Sequence, residues 1–191
     1  AIGTNRFWSF GLGYIENNIA TQFRLQSPEG YDSIFPKRYG ELLAAASHKG
    51  ELTRDIPRAD ALVSSTDRID QVLSDPYRVR ILAILGVRYI AASNTPPKHV
   101  DEKMIPPPQL RPIWQDSAYT IFENQTALPR AFLVGKFEVV PEGGQILTRL
   151  FDPNFDPAAS VILESAIVGF TSTEEVAGDA EIVDYQPNSV V

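Results

Sequence analysis

Residues 75–91 read DPYRVRILAILGVRYIA and pass from a helical pattern to a strand pattern. Asp75 is a favoured N-cap residue, and Pro76 suits the first position of a helix. Gly86 is the residue type that often ends a helix, because glycine adopts positive φ angles without strain. The β-forming residues of 87–91 then favour a strand. This stretch therefore predicts a helix that leads directly into a strand.

The same two patterns recur elsewhere in the chain. Apolar residues repeat at helical spacing after Pro36, and Gly50 is placed to end that helix. Shorter helical patterns lie at residues 67–73 and 143–150. Strand patterns lie at residues 6–11, 119–123, 131–140, 160–163 and 181–185. We expect residues 124–130 to join two of these strands, 119–123 and 131–140, as a wide hairpin.

Strands mixed with helices of moderate length predict the α+β class. We expect one domain over residues 1–191, with a mixed β-sheet and several short to medium helices. The apolar faces of these elements predict a core that includes Tyr39, Leu42, Leu43, Leu82, Leu85, Tyr89, Ile121, Phe132, Val134, Ile146, Leu147 and Ile162.

Proline interrupts the middle of the chain, with prolines at 96–97, 106–108 and 112. Proline disrupts the interior of a helix and has no N–H group for a central strand, so residues 94–114 are predicted to form an ordered surface loop or an internal linker. At the other end, residues 189–191 again favour a strand. We expect the chain to stop within a C-terminal strand, with further β structure following it in a longer parent protein.

The composition matches that of a globular domain. The chain has 191 residues, of which 43% are hydrophobic and 21% charged. Its longest apolar stretch, residues 81–92, contains Arg88 and is shorter than the roughly 18–20 residues that a bilayer-spanning helix needs. The net charge of −7 opposes nucleic-acid binding. Because the sequence begins at Ala1 without a signal-peptide pattern, we expect a fragment or a processed product.

No residue pattern in the sequence indicates a metal site, a cofactor-binding site or a catalytic centre. The chain has no cysteine, and His48 and His99 lack a second ligand at helical spacing. Residues 152–156 place oxygen atoms at alternate positions, but Pro157 stands where a calcium-binding EF-hand needs glycine. The acidic run at 174–181 is typical of a solvated loop, although paired carboxylates also serve glycoside hydrolysis. We therefore expect no metal, no cofactor and no catalytic residue.

Three stretches resemble the C-terminal extracytoplasmic region of the YfhO-like family of bacterial multipass membrane proteins. They are residues 30–39 (GYDSIFPKRY), 84–90 (ILGVRYI) and 122–132 (FENQTALPRAF). Residues 152–164 resemble the next recurring piece, and the order and spacing of the pieces also match. The resemblance is spread from residue 30 to residue 164.

Proteins of that family have a glycosyltransferase C-like membrane core and are implicated in moving sugars from polyprenyl-phosphate carriers to extracytoplasmic acceptors. The resemblance implies a non-catalytic accessory ectodomain at the extracytoplasmic face of a bacterial cell membrane. Its implied partners are the transmembrane region of its own parent protein and a lipid-linked sugar or acceptor glycan. The catalytic residues of such a membrane glycosyltransferase lie in the membrane portion, so none is assigned to this chain.

The best candidate for a ligand-binding surface is the set Tyr31, Asp32, Lys37, Arg38 and Tyr39. An aromatic ring beside paired cations is suited to stack on a sugar and to contact a phosphate. The alternative is that both tyrosines belong to the core and both cations lie on an exposed helical turn. Two other functions stay open: an independent carbohydrate-binding module, which would bind free glycan, and a hydrolase, which would contain a buried carboxylate pair.

Overall fold

The computed structural model describes residues 3–31, 34–56, 60–63, 69–95, 108–173, 176–186 and 188–191. The helices in these ranges are α1 (Asn17–Gln22), α2 (Lys37–Ser47), α3 (Ile69–Ser74), α4 (Pro76–Ile84) and α5 (Gly143–Leu150). The strands are β1 (Arg6–Ser9), β2 (Gly30–Tyr31), β3 (Asp60–Ala61), β4 (Val87–Ser93), β5 (Leu110–Gln115), β6 (Tyr119–Asn124), β7 (Lys136–Val139), β8 (Ser160–Leu163), β9 (Tyr185–Gln186) and β10 (Ser189–Val190).

The largest sheet has the strand order β1-β4-β6-β5. Strand β1 pairs with β4 in parallel, whereas β4 with β6 and β5 with β6 are antiparallel pairs. The predicted class, α+β with a mixed sheet and short to medium helices, is confirmed. Within the ranges given above, no helix is long and apolar enough to cross a membrane.

The predicted passage from helix α4 to strand β4 is confirmed. The Asp75 carboxylate caps the helix by accepting a 2.9 Å hydrogen bond from the backbone N–H of Tyr77, and Pro76 occupies the first position. Gly86 ends the helix with a φ of +62°, a conformation that costs glycine little. Strand β4 begins at the next residue. A loop therefore does not separate the two elements, and the helix packs directly beside the sheet.

Helix α2 also ends close to the predicted position. The backbone N–H of Gly50, at a φ of +83°, donates to the carbonyl of Ala45, which closes the last turn. The His48 ring lies within 2.8 Å of the carbonyl oxygen of Ala44, as expected for a residue beside the last carbonyls of a helix. Glycine and histidine at these positions thus satisfy backbone groups that the helix leaves open.

The core lies between one face of the large sheet and helices α2, α3 and α4. On the sheet, the facing residues Trp8, Ile90 and Phe122 form one row, and α4 contributes Ile81 and Leu82, all buried. Of the predicted core residues, Leu43, Leu82, Leu85 and Leu147 are buried, and Tyr39, Leu42, Tyr89, Ile121, Val134, Ile146 and Ile162 are half-buried. Phe132 is 37% exposed, so its assignment to the core is wrong.

The predicted hairpin between residues 119–123 and 131–140 is wrong. Both edges of β6 are already paired, one with β4 and the other with β5. After β6, the side chain of Arg130 bonds to the Thr4 carbonyl and to Gln26, which fixes the chain near the first strand instead. Only residues 136–139 form a strand in this region, and that strand pairs in parallel with β8.

Of the loop predicted over residues 94–114, residues 96–107 lie outside the described part, and the prediction is wrong from Leu110 onward, where β5 begins. Strand β5 contains Pro112 because it lies at the edge of the sheet, where a missing N–H group interrupts no second ladder. The strand pattern at 181–185 is realised only at its end, in the short β9–β10 pair. Of the predicted helix at 67–73, residues 67 and 68 lie outside the described part, and α3 covers the remainder.

Candidate functional site

The predicted surface around α2 is only partly assembled. Tyr31 ends β2 with 60% of its surface exposed, as stacking on a sugar would require. Asp32 lies outside the described residues. Lys37 and Arg38 occupy the exposed first turn of α2, and each is already ion-paired, Lys37 with Glu41 at 3.4 Å and Arg38 with Glu164. Both cations therefore have competing partners on the protein itself.

Tyr39 is less exposed than Tyr31. Its hydroxyl donates a hydrogen bond to the carbonyl of Pro28, and its ring packs against the core. Burial raises the pKa of the phenol to about 12, which keeps it neutral. Tyr39 is thus half-buried against the core, as the alternative expected, whereas Tyr31 is exposed, and the assignment of this set to ligand binding stays a prediction.

A second set of charged residues lies on the other face of the large sheet. The Glu123 carboxylate on β6 accepts hydrogen bonds from two arginines, one on each neighbouring strand. Arg88 of β4 donates from Nε and Nη2 to Oε1, at 3.0 and 2.6 Å. Arg111 of β5 donates from Nε, at 3.1 Å, and from Nη2 to Oε2. Three strands are therefore joined by one carboxylate.

The backbone explains why Arg88 reaches this face. Arg6 pairs with Val87 but Phe7 pairs with Tyr89, so Arg88 is an extra residue in β4. Such a bulge reorients the side chain of the added residue. Arg111 needs no bulge, because it lies directly opposite Glu123 in the register of β5 and β6.

We call this side of the sheet the outer face and define it by Tyr89, Arg111, Trp114, Ile121 and Glu123, with Arg88 added by the bulge. Trp114 lies opposite Ile121, one row along from Glu123, and is 49% exposed. Tyr119, at the start of β6, is 44% exposed. At the β1 side this face is covered, since the Ser9 hydroxyl is buried and accepts from the backbone N–H of Ile15. The β5 side stays open to solvent.

The electrostatics of the outer face are set by the arginines. Hydrogen bonds from Arg111 and Arg88 lower the pKa of Glu123, which therefore stays ionised. Two guanidinium groups around one carboxylate leave one net positive charge, on a chain whose overall charge is −7. The side chain of Glu123 is 12% exposed, whereas those of Arg88 and Arg111 are 42% and 63% exposed. The surface presented to solvent is therefore cationic.

A cleft of about 440 Å³ lies where α5 meets the residues that follow it. It is lined by the rings of Tyr77 and Phe151, which are tilted by 44° with centroids 6.0 Å apart, and by polar groups that include Arg149 and Asp152. Arg149 donates to both carboxylate oxygens of Glu138 and also to Asp152. One arginine in the cleft is thus paired with two carboxylates, whereas on the outer face two arginines share one carboxylate. The cleft therefore has less positive charge available to a ligand.

The two carboxylates bonded to Arg149 have lowered pKa values. Hydrogen bonding to Arg149 lowers the pKa of Glu138, and the backbone N–H of Asn154 lowers that of Asp152. Among the described residues, no group of three or more histidine, aspartate or glutamate side chains is arranged to hold a metal ion. His99 lies outside the described part, as do Glu174 and Glu175 of the acidic run.

The outer face was missed in the sequence although a signal for it existed. Arg88 and Glu123 are charged residues inside otherwise apolar strand patterns, and oppositely charged residues on neighbouring strands often pair. Which strands are neighbours could not be read from the sequence. Arg111 was not recognised as a strand residue, because it lies in the proline-rich segment that was predicted to be a loop.

Comparisons of this chain with protein-family models, with curated proteins and with solved structures found no match. The resemblance to YfhO-like proteins therefore stays a prediction.

Proposed function

We propose that this chain is a non-catalytic accessory ectodomain of a bacterial multipass membrane protein that transfers lipid-linked sugars to extracytoplasmic glycans. It lies at the extracytoplasmic face of the membrane and packs on the transmembrane region of its own parent protein. The resemblance of residues 30–164 to YfhO-like proteins suggests the setting. One structural observation carries the proposal: the concentration of exposed apolar side chains in the C-terminal part of the chain.

Eight large apolar residues between positions 167 and 191 are exposed, namely Ile167, Val168, Phe170, Val176, Val183, Tyr185, Val190 and Val191. Val168 is 97% exposed, and Phe170 and Val183 are more than two-thirds exposed. Val190 and Val191, at the end of the chain, are also exposed. Large apolar patches on monomers commonly mark interaction sites. A transmembrane region with its connecting loops is the partner that the family resemblance supplies.

The state of the carboxylates supports the absence of catalysis. A glycoside hydrolase needs one carboxylic acid that keeps its proton near neutral pH, which requires a raised pKa. Glu123, Glu138 and Asp152 have displaced pKa values, and each displacement is downward. These three groups are suited to pairing with arginine rather than to donating a proton.

The rival functions make different demands. An independent carbohydrate-binding module would bind free glycan tightly and would need no covering partner for Val168 and Phe170. A hydrolase would depend on a carboxylate pair, for which Glu138 and Asp152 around Arg149 are the nearest arrangement. Neither rival accounts for the apolar C-terminal surface.

Cysteine labelling tests the proposed packing. The chain has no cysteine, so Val168→Cys introduces a unique thiol within it. In membranes containing the full-length gene product, we expect this thiol to react with a maleimide at least tenfold more slowly than in the isolated chain. Phe23→Cys, at a 68% exposed position outside the C-terminal part, is the control and should react equally in both. Equal reactivity at Val168, or a gene product without apolar spans outside residues 1–191, would overturn the proposal.

A further inference from the structure

The two arginines of the outer face are oriented by Glu123 and still have N–H donors available for another ligand. Each directs Nε and Nη2 at Glu123. Within the described part of the chain, the Nη1 group of neither Arg88 nor Arg111 makes a hydrogen bond to this or any other acceptor. A guanidinium forms paired hydrogen bonds with carboxylate and phosphate groups. The outer face therefore keeps donors for a second anion.

Because Glu123 already orders the two arginine side chains, less conformational entropy is lost when a ligand binds to them. A free arginine side chain loses rotamer freedom when it grips a ligand, and that loss subtracts from the affinity. Arg88 and Arg111 have already lost it through Glu123, whose carboxylate is largely shielded by the strands around it. An anion that arrives at this face meets donors that are already oriented.

An aromatic residue, Trp114, lies in the next row of the same face. Trp114 pairs with Ile121, and Arg111 pairs with Glu123, two residues along β6. A register shift between Pro112 and Trp114 brings Trp114 opposite Ile121. Two residues of a strand span about 7 Å, so the backbone positions of Trp114 and Arg111 lie about that far apart along the outer face. Tryptophan offers a flat apolar surface to the C–H groups of a sugar ring, and an arginine at that distance reaches an acidic substituent.

We infer that the outer face is a binding surface for an anionic saccharide, with Arg88 and Arg111 contacting its carboxylate or phosphate group and Trp114 packing on its ring. The inference rests on the proposed function for the source of the saccharide, either a sugar phosphate of the lipid-linked donor or a uronic acid of the acceptor. The outer face is distinct from the predicted α2 surface, whose cations Lys37 and Arg38 pair with Glu41 and Glu164.

The two tryptophans of the chain allow a direct test by NMR. The indole N–H of Trp8 is buried and bonded to Glu29, so its signal serves as an internal reference for folding. The indole N–H of Trp114 reports on the outer face. The chain is titrated separately with glucuronic acid and glucose 1-phosphate, and with glucose and inorganic phosphate as controls.

We expect glucuronic acid, glucose 1-phosphate or both to shift the Trp114 signal saturably, with a Kd on the order of 1 mM, while the Trp8 signal stays in place. The acid that binds identifies the source. Arg111→Gln should raise that Kd by about tenfold or more. Arg111→Lys keeps the positive charge but loses the paired N–H donors of the guanidinium, so it should raise the Kd less. Arg38→Gln is the matched control, an exposed and ion-paired arginine away from the outer face, and should leave the Kd unchanged.

Several results would overturn the inference. They are the absence of a Trp114 response to both acidic sugars, equal binding of glucose or of inorganic phosphate, and a Kd that changes with Arg38→Gln but not with Arg111→Gln. Such a result would leave the proposed accessory function standing, because that function is tested by cysteine protection and by the absence of turnover.

Discussion

The indole Nε1–H of Trp8 donates a 2.9 Å hydrogen bond to Oε1 of Glu29, inside the core. The same oxygen accepts a 2.8 Å hydrogen bond from the backbone N–H of Val63. One buried carboxylate thus connects β1, the segment before β2 and the segment after β3. Buried polar groups carry a large penalty when a partner is removed, so this connection governs stability.

We expect Glu29→Ala to lower the free energy of unfolding by about 2–3 kcal/mol, because it leaves the Trp8 and Val63 donors without their acceptor. Glu29→Gln should cost less, since the amide keeps one oxygen acceptor. Urea denaturation followed by tryptophan fluorescence measures both. Glu164→Gln, which removes an exposed partner of Arg38, is the control and should change stability by less than about 1 kcal/mol. Equal losses for Glu29→Ala and Glu164→Gln would contradict this role.

Packing between α4 and the sheet gives a second prediction. Leu82 is fully buried, so Leu82→Ala should cost about 2–5 kcal/mol through lost contacts and a residual cavity. Val168→Ala removes methyl groups from a side chain that is 97% exposed and should change the isolated chain by less than about 0.5 kcal/mol. The midpoints of thermal or urea unfolding compare the two variants. Similar shifts for both would mean that α4 does not form the core described here.

Two glycines should respond oppositely to the same substitution. Gly50 has a φ of +83°, and an added Cβ would lie 2.6 Å from Cβ of Phe151, so Gly50→Ala should cost more than about 1 kcal/mol. Gly144 is the second residue of α5, and an added Cβ there would meet Leu52 at ordinary contact distance. Because alanine favours a helix over glycine, Gly144→Ala should stabilise the protein by up to about 1 kcal/mol. A stabilising Gly50→Ala would contradict the end of α2 described here.

The Glu123 ion pairs predict a pH dependence. Hydrogen bonds from Arg111 and Arg88 place the pKa of Glu123 in the folded protein below its ordinary value of 4.5. The resulting stabilisation is present above the unfolded pKa and disappears as pH falls through the folded pKa. The stability difference between the wild type and Glu123→Gln should therefore shrink as pH falls below about 4.5. Urea denaturation from pH 7 to pH 3 measures it, and a difference that stays constant over that range would show that the arginines do not depress this pKa.

The parts of the fold that the sequence predicted are those fixed by local chemistry. Asp75, Pro76 and Gly86 define the ends of α4 through capping, ring geometry and positive φ, none of which depends on distant residues. The same holds for Gly50 at the end of α2. These signals were sufficient to predict the α+β class.

Strand pairing could not be predicted in the same way, because it is decided by distant partners. Residues 131–140 have a strand pattern, but β6 pairs on one edge with β5, which precedes it by a short turn, and on the other edge with β4, which lies further away in the chain. Pro112 favoured the prediction of a loop, because proline is compatible with a strand only where that strand lies at the edge of a sheet. The outer face depends on three strand pairings and two register shifts, which the sequence pattern does not specify, so the sequence led to the α2 surface instead.

The proposal that this chain is an accessory domain without catalytic activity is tested most directly by a turnover assay. The purified chain is incubated with polyprenyl-phosphate sugars and candidate acceptor glycans, and transferred or released sugar is quantified by mass spectrometry. We expect no product above the level of a protein-free control, since Glu123, Glu138 and Asp152 are held ionised by their hydrogen-bond partners. Turnover that a single substitution such as Glu138→Gln abolishes would contradict the proposal and identify an enzyme.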